Sequence, residues 1–223
     1  VEAFNCRVHD GIIVSRGGQT PVNAGDPMSG CVYGLVEVDG ASVGTRSFIV
    51  NGGVFGGVGF TPISFFNTGD DPPTFVEGTQ TNWTYPGINP SNPANPRNCF
   101  VLWDGDVISF AREGANPYQL VKVTYDDTTP DILLESIVSL PPAVSPASII
   151  TMISTDVGGN PTEIIVIGTL EGGVISYDGS VVAELAAAGT FTDRVIVSTY
   201  NGTLYAASTQ GISRLPSGPG AVW

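Results

Sequence analysis

The chain has 223 residues and a formal net charge of −13, from 8 basic and 21 acidic residues. Proteins that bind nucleic acid or an anionic membrane surface need clustered Lys and Arg, and Lys122 is the only lysine, so the composition argues against both partners. Gly (29) and Pro (17) are frequent, and strand-forming residues fill the intervals between them, which predicts an all-β protein of short strands and tight turns.

The three cysteines, Cys6, Cys31 and Cys99, fit neither a disulfide framework nor a zinc site, because their number is odd and their spacing is wide. We expect buried thiols in a reducing compartment. No segment approaches the roughly 18–20 apolar residues of a membrane span, so no membrane insertion is expected. The start at Val1 without a methionine, and the end at Trp223 where a further strand would begin, predict a single all-β domain, residues 1–223, within a longer chain.

Residues 1–20 predict a β-hairpin. Two strands, Ala3–Val8 and Ile12–Arg16, flank a turn at His9-Asp10-Gly11, and Asp-Gly between apolar runs is a strong hairpin signal.

A first sheet is predicted next, with strands at Gly30–Val38, Thr45–Val50 and Phe60–Phe66. The sequence Asn51-Gly52-Gly53 predicts a turn after the second of these strands.

Residues 67–98 are rich in proline, which supplies no backbone donor, and predict a long surface excursion with at most a short strand at Thr74–Glu77. Trp83 and Tyr85 lie in this excursion. Because aromatic side chains offer a large contact area at a low entropy cost, they are candidate contacts to a partner.

Residues 99–140 predict a second sheet, with a turn at Asp104-Gly105. Its strands are predicted at Cys99–Trp103, Asp106–Arg112, Gln119–Tyr125 and Ile132–Val138.

The stretch from Ile149 to Trp223 repeats one pattern of four short apolar runs after about 40 residues, as propeller blades do. One helical fragment is predicted inside it, at Glu184–Ala188, ended by Gly189. The runs of the first copy are Ile149–Thr155, Glu163–Thr169, Gly173–Gly179 and Ser180–Leu185, and those of the second are Val195–Tyr200, Thr203–Thr209, Gly211–Gly218 and Ala221–Trp223.

These units favour a β-propeller-like array of about four to five four-stranded units, with a β-sandwich as the alternative. Ile149–Ile153 and Ile164–Ile167 are apolar almost throughout, as strands covered on both faces are. Gln119–Tyr125 alternates, as a half-exposed outer strand does. A two-layer sandwich would give a more uniform alternation.

No catalytic, cofactor or metal site is predicted. His9 is the only histidine, and no nucleophile turn accompanies it. Three acidic pairs offer oxygen ligands of the kind that calcium takes, but none has the spacing of a helix–loop–helix site. These pairs are Asp70 and Asp71, Asp104 and Asp106, and Asp126 and Asp127.

The opening segment, Asn5–Gly18, resembles the start of a group of virion proteins of tailed bacteriophages, although Gly17 stands where proline is usual. Thr203–Leu215 resembles a generic propeller blade in its Leu-Tyr-Ala run. The resemblance implies a propeller-like structural protein of a tail, adaptor or fibre, located in the virion and acting in assembly. Its implied partners are other virion proteins, including further copies of itself, and no enzymatic activity is expected.

Two other classes of function stay open. A surface or secreted module that binds carbohydrate or protein would use the aromatic residues Trp83, Tyr85 and Trp103 and would be extracellular. A propeller-fold glycan hydrolase would need carboxylates that converge on a central channel.

Overall fold

The computed structural model of the chain describes residues 100–126, 131–155 and 160–215, with side chains at 100–124, 133–155 and 160–215, and the backbone of seven strands nearer the N-terminus. The elements in these parts are β strands joined by turns, without a helix among them, which confirms the all-β class. They form an N-terminal hairpin and four larger sheets, in which all pairs of strands are antiparallel.

The N-terminal hairpin consists of β1 (Cys6–His9) and β2 (Ile12–Ser15). His9 pairs with Ile12, so the hairpin closes over the two positions of the predicted Asp-Gly sequence. The predicted hairpin is therefore confirmed at the level of its strand pairing.

The first sheet follows chain order: β3 (Ser29–Asp39), β4 (Arg46–Val54), β5 (Ile63–Asn67) and β6 (Thr74–Glu77). The turn predicted at Asn51-Gly52-Gly53 is wrong, because β4 continues through these residues and Asn51 pairs with Ile63 of β5. The glycines occur where the β3–β4 register is irregular, as glycines inside strands often do.

The second sheet contains β7 (Trp83–Thr84), β8 (Val101–Trp103), β9 (Asp106–Glu113), β10 (Gln119–Asp126) and β11 (Asp131–Ser139). The strands β9, β10 and β11 lie in chain order, while β8 and β7 pair with opposite ends of β9. Between β8 and β9, Asp104 and Gly105 have φ angles of 50° and 80°, which confirms the predicted two-residue turn.

The third and fourth sheets confirm the strands of the repeat. The third sheet is β12 (Pro146–Thr155), β13 (Pro161–Thr169), β14 (Val174–Tyr177) and β15 (Val182–Ala186), in chain order. The fourth sheet is β16 (Ile196–Tyr200), β17 (Thr203–Ser208) and β18 (Gly211–Arg214). The predicted run Ala221–Trp223 lies outside the described residues.

The helical fragment predicted at Glu184–Ala188 is wrong. Glu184 pairs with Ile175, and β15 extends to Ala186 before the chain turns at Gly189, whose φ is 82°. The helix propensity of a Glu-Leu-Ala-Ala-Ala run is a weak preference, and pairing with the buried strand β14 overrides it.

Apolar side chains on both faces of the third sheet hold the sheets in a stack. Ile165 and Ile167 point toward the second sheet and join a core with Phe110 and Leu120, whereas Val166 points to the opposite side. That side packs against the fourth sheet. The prediction of a strand covered on both faces is confirmed for Ile164–Ile167, where full burial of each such side chain contributes about 1.5–3 kcal/mol. The same prediction for Ile149–Ile153 is wrong at its end, because Ile153 is 61% exposed.

The second sheet is also buried on both faces along β9 and β10. The prediction that Gln119–Tyr125 is a half-exposed outer strand is wrong, because β10 lies between β9 and β11 and Leu120, Val121 and Val123 are all buried. Phe110 belongs to the core shared with the third sheet, while the neighbouring Ser109 and Ala111 are fully buried on the other side. The strand β11 lies against β5 and β6 of the first sheet. The second, third and fourth sheets thus pack on one another in the order of the chain.

Candidate interaction surface

The predicted partner contacts lie at the end of the second sheet or outside the described residues. The sequence did not predict β7, in which the backbone of Trp83 pairs with Glu113. Nothing of the Trp83 side chain is described, and Tyr85 lies outside the described residues. Their role as partner contacts therefore stays a prediction.

Trp103, a candidate aromatic for carbohydrate binding, packs between the second and third sheets. Its ring lies 5.7 Å from that of Tyr177, and its outer atoms are within about 3.5 Å of the place where a Cβ on Gly179 would be. The indole nitrogen donates a hydrogen bond to the carbonyl of Glu163 at 3.4 Å. These contacts give the half-buried Trp103 a structural role in joining the two sheets.

The acidic pair Asp104 and Asp106 is divided between a turn and an ion pair. Asp104 occupies the left-handed position of the β8–β9 turn, and Asp106 Oδ1 lies 2.7 Å from Lys122 Nζ. This hydrogen bond, with a smaller attraction from Glu135, raises the pKa of Lys122. The side chains of the other two acidic pairs lie outside the described residues.

Asp178 organises the turn between β14 and β15. Its Oδ1 accepts hydrogen bonds from the backbone amides of Val181 and Ser180, at 2.8 and 2.9 Å, and from the Ser180 hydroxyl at 2.8 Å. These donors, with the Val181 amide first, lower the pKa of the carboxyl group because they favour its charged form. The arrangement is an Asx turn, whose carboxylate is occupied by its own backbone.

Arg112 and Tyr118 form a contact at the far end of β9. The guanidinium carbon lies 5.4 Å from the centroid of the Tyr118 ring, a cation–π arrangement. Partial burial raises the pKa of the Tyr118 hydroxyl, and the positive charge of Arg112 opposes that effect.

Among the described residues, the two large hydrophobic side chains with the highest exposed fraction, Tyr200 and Ile212, lie on one face of the fourth sheet. Its inner face packs against the third sheet through buried Val197, Leu204 and Ala206. By strand alternation the residues between them belong to the opposite side. We call this side the open face. It carries the six residues Ile196, Tyr200, Tyr205, Ala207, Ile212 and Arg214, with the polar Ser198 paired with Tyr205 and Thr203 paired with Tyr200 on the same side.

The register of the fourth sheet brings the apolar residues of the open face together. Ile196 pairs with Ala207, which pairs with Ile212 on the edge strand, and Tyr205 pairs with Arg214. Tyr200 is 69% exposed and Ile212 is 77% exposed, and none of the six residues is buried. An exposed row of this kind is typical of a surface that another protein covers.

The fourth sheet, to which the open face belongs, contains no acidic residue. The last acidic residue of the chain is Asp193, and Arg214 is the only charged residue from position 195 onward. Since the rest of the chain holds all 21 acidic residues, the fourth sheet is a region without acidic side chains in a strongly acidic protein. Depletion of charge and enrichment in tyrosine distinguish the centres of protein interfaces from other surfaces.

Sequence reasoning missed the open face, because the alternation along Ile196–Tyr200 shows two faces without showing which one is covered. The signal that was available is the absence of Asp and Glu after Asp193.

Among the side chains at 100–124, 133–155 and 160–215, no group of three or more His, Cys, Asp or Glu residues could hold a metal ion. A search of the same described parts for a helix long and apolar enough to cross a membrane finds none. Comparison of the sequence with protein-family models gives no match, and comparison with curated protein sequences gives none either.

Proposed function

We propose that this chain is a structural component of a tailed-bacteriophage particle, in which its sheets form a propeller-like array that acts in assembly through protein–protein contacts. The observation that carries the proposal is the open face, a surface with two tyrosines, two isoleucines and no acidic residue in a protein of net charge −13. A protein that remains soluble through its acidic surface, and leaves one sheet face free of acid, is suited to dock through that face.

The arrangement of the sheets supports the propeller-like part of the proposal. In each of the first, third and fourth sheets, neighbouring strands follow chain order, as in a propeller blade. The first strands of the third and fourth sheets, β12 and β16, lie against each other, and β12 also lies against β8. Contact between the first strands of successive sheets is what an array around a common axis would require.

The resemblance of Asn5–Gly18 to tailed-phage virion proteins supports the location. The structure has a hairpin within this segment, with Arg7 paired with Val14 and Val8 paired with Ile13. The resemblance rests on an asparagine, two strands that flank Asp-Gly, and an arginine followed by glycine at the end of the second strand.

Fractionation of native particles tests the proposed function. Cells that carry the native gene are induced to produce phage particles, and the particles are banded on a density gradient. The chain is then followed by immunoblot and by antibody-labelled electron microscopy. We expect the chain in the particle band, with label at one defined place on the tail. Recovery of the chain only in particle-free fractions, with the particles intact, would refute the proposal.

A further inference from the structure

The junction between the second and third sheets ends in a group of apolar side chains around Trp103. The indole nitrogen of Trp103 donates a hydrogen bond to the carbonyl of Glu163, which pairs with Ile153 on β12. Ile153 lies four residues beyond the buried Ile149, so strand alternation places both on the face turned toward the second sheet. Ile149 is fully buried there, whereas Ile153 is 61% exposed, so the junction opens to solvent at Ile153.

The turn between β14 and β15 lies beside the same ring. The outer atoms of Trp103 are 3.4 and 3.5 Å from the place where a Cβ on Gly179 would be, and Val181, in the same turn, is 57% exposed. We call Trp103, Ile153 and Val181 the junction patch. A half-buried tryptophan with exposed aliphatic side chains nearby has the composition of the centre of a protein interface.

Carboxylates accompany each member of the junction patch. Asp104 follows Trp103 in the β8–β9 turn, Glu163 pairs with Ile153, and Asp178 accepts the backbone amide of Val181. All three acidic residues are exposed. The apolar side chains therefore lie among negative charges that face water.

The lysine near the junction patch does not neutralise these charges. Lys122 Nζ lies 2.7 Å from Asp106 Oδ1, and Asp106 is the residue that pairs with Trp103. The positive charge of Lys122 is thus matched by a fourth carboxylate. A partner complementary to this surface would place Lys or Arg beside apolar residues.

We infer that the junction patch binds a basic segment of another protein, in which arginine or lysine residues flank apolar ones. The apolar residues of the segment would cover Ile153 and Val181, and its cations would face the three exposed carboxylates. A second copy of this chain is a poor match, because it carries one lysine and a net charge of −13 and is repelled. The inference goes beyond the proposed function, since the junction patch shares no residue with the open face.

Fluorescence anisotropy with the purified chain, residues 1–223, and three labelled peptides tests this inference. Between glycine spacers, the peptides contain Arg-Leu-Leu-Arg, Arg-Ser-Ser-Arg or Glu-Leu-Leu-Glu. We expect the Arg-Leu-Leu-Arg peptide to bind at least tenfold more tightly than either of the others, because it alone matches both the apolar and the acidic side chains. Its affinity should fall as the ionic strength rises from about 0.01 to 1 M, since the Debye length shortens from about 30 to 3 Å.

Two pairs of variants locate the contact. Ile153→Ser should weaken binding of the Arg-Leu-Leu-Arg peptide about tenfold and leave the Arg-Ser-Ser-Arg peptide unaffected, whereas Ile212→Ser, at an isoleucine that is 77% exposed on the fourth sheet, should change neither. Glu163→Gln should weaken binding about two- to fivefold and reduce its salt dependence, while Glu184→Gln, at an exposed residue of β15, should not. Circular dichroism checks the folding of I153S, and Val181→Ser replaces it if the spectrum changes.

Four results would overturn the inference. They are no binding of the Arg-Leu-Leu-Arg peptide at about 1 mM, equal affinities for the Arg-Leu-Leu-Arg and Arg-Ser-Ser-Arg peptides, equal affinities of I153S and I212S for the first peptide, and self-association of the wild type that I153S abolishes, which would make a second copy the occupant. Each of these results concerns the purified chain, so each is separable from the presence or absence of the chain in particles.

Discussion

Ser148 joins the third and fourth sheets, and its removal should measure the strength of that junction. The hydroxyl donates a hydrogen bond to the carbonyl of Val195 at 3.2 Å and accepts one from the amide of Val197 at 3.0 Å. Ser148 is fully buried, so water does not compete for either bond. Through this side chain β12 holds two backbone groups at the start of the fourth sheet.

Replacement by alanine, Ser148→Ala, leaves the Val197 amide buried without this acceptor, at a cost of about 1–3 kcal/mol. Loss of the bond to Val195 adds about 0.5–1.5 kcal/mol. We expect the free energy of unfolding to fall by about 2–4 kcal/mol, a large part of the 5–15 kcal/mol that is typical of a folded domain. At this chain length the midpoint of thermal unfolding should fall by roughly 4–15 °C.

Urea and thermal unfolding, followed by circular dichroism, measure this change. Ser198→Ala is the control, because Ser198 is exposed on β16 and its replacement should change stability by less than about 0.5 kcal/mol. Equal stability of S148A and S198A would show that Ser148 does not hold the two sheets together.

Three further predictions concern the junctions and turns. Gly168→Ala would place a Cβ inside van der Waals contact with the carbonyl oxygen of Val195, so the sheets must separate. We expect a loss of about 1–3 kcal/mol in urea unfolding, and wild-type stability would contradict the close approach. Asp178→Ala should destabilise the chain at pH 6. Because hydrogen bonding holds the pKa of Asp178 below its ordinary value of 3.8, its stabilisation is present above that pH and lost below it as the carboxyl becomes protonated. The difference in stability from wild type should therefore shrink as the pH falls from 6 to 2, and a difference that does not change with pH would refute the assignment. Trp103→Ala should cost about 1–3 kcal/mol, since the half-buried ring packs on Tyr177, and a glycan-binding role in place of this packing would leave the unfolding midpoint unchanged.

Most strands from β8 onward could be predicted because their turn residues and their apolar runs indicate the same structure. Asp104-Gly105 and Asn201-Gly202 are the residues that two-residue hairpin turns require, and both pairs have positive φ angles. The apolar run around Ile165 specifies a strand covered on two faces. Local chemistry and packing therefore favour the same structure in this part of the chain.

Elsewhere the local signal and the pairing disagree. Gly52 and Gly53 have the composition of a turn, yet β4 pairs through them, because an irregular register can accommodate glycine inside a strand. Two residues at Trp83–Thr84 are too short to give a periodic pattern, so β7 depends on its partner β9 alone. The helix propensity of Glu184–Ala188 is likewise overridden by pairing with β14.

The candidate site was the least predictable part, because the sequence of a strand does not show which of its two faces packs against another sheet. The sequence indicates that Tyr200 and Val197 belong to opposite faces of β16, and only the packing shows that Val197 is the buried one. Trp103 was predicted to be a candidate carbohydrate contact because it is aromatic. In the structure its indole nitrogen instead donates a hydrogen bond to the Glu163 carbonyl of the third sheet.

An electron cryo-microscopy map of the native particle tests the central claim most directly. The account predicts density for this chain in the virion, with the side chains of Tyr200, Tyr205 and Ile212 covered by a neighbouring subunit. A map in which the chain is present but these three residues face solvent would contradict the role of the open face. A complete particle without the chain would contradict the structural function itself.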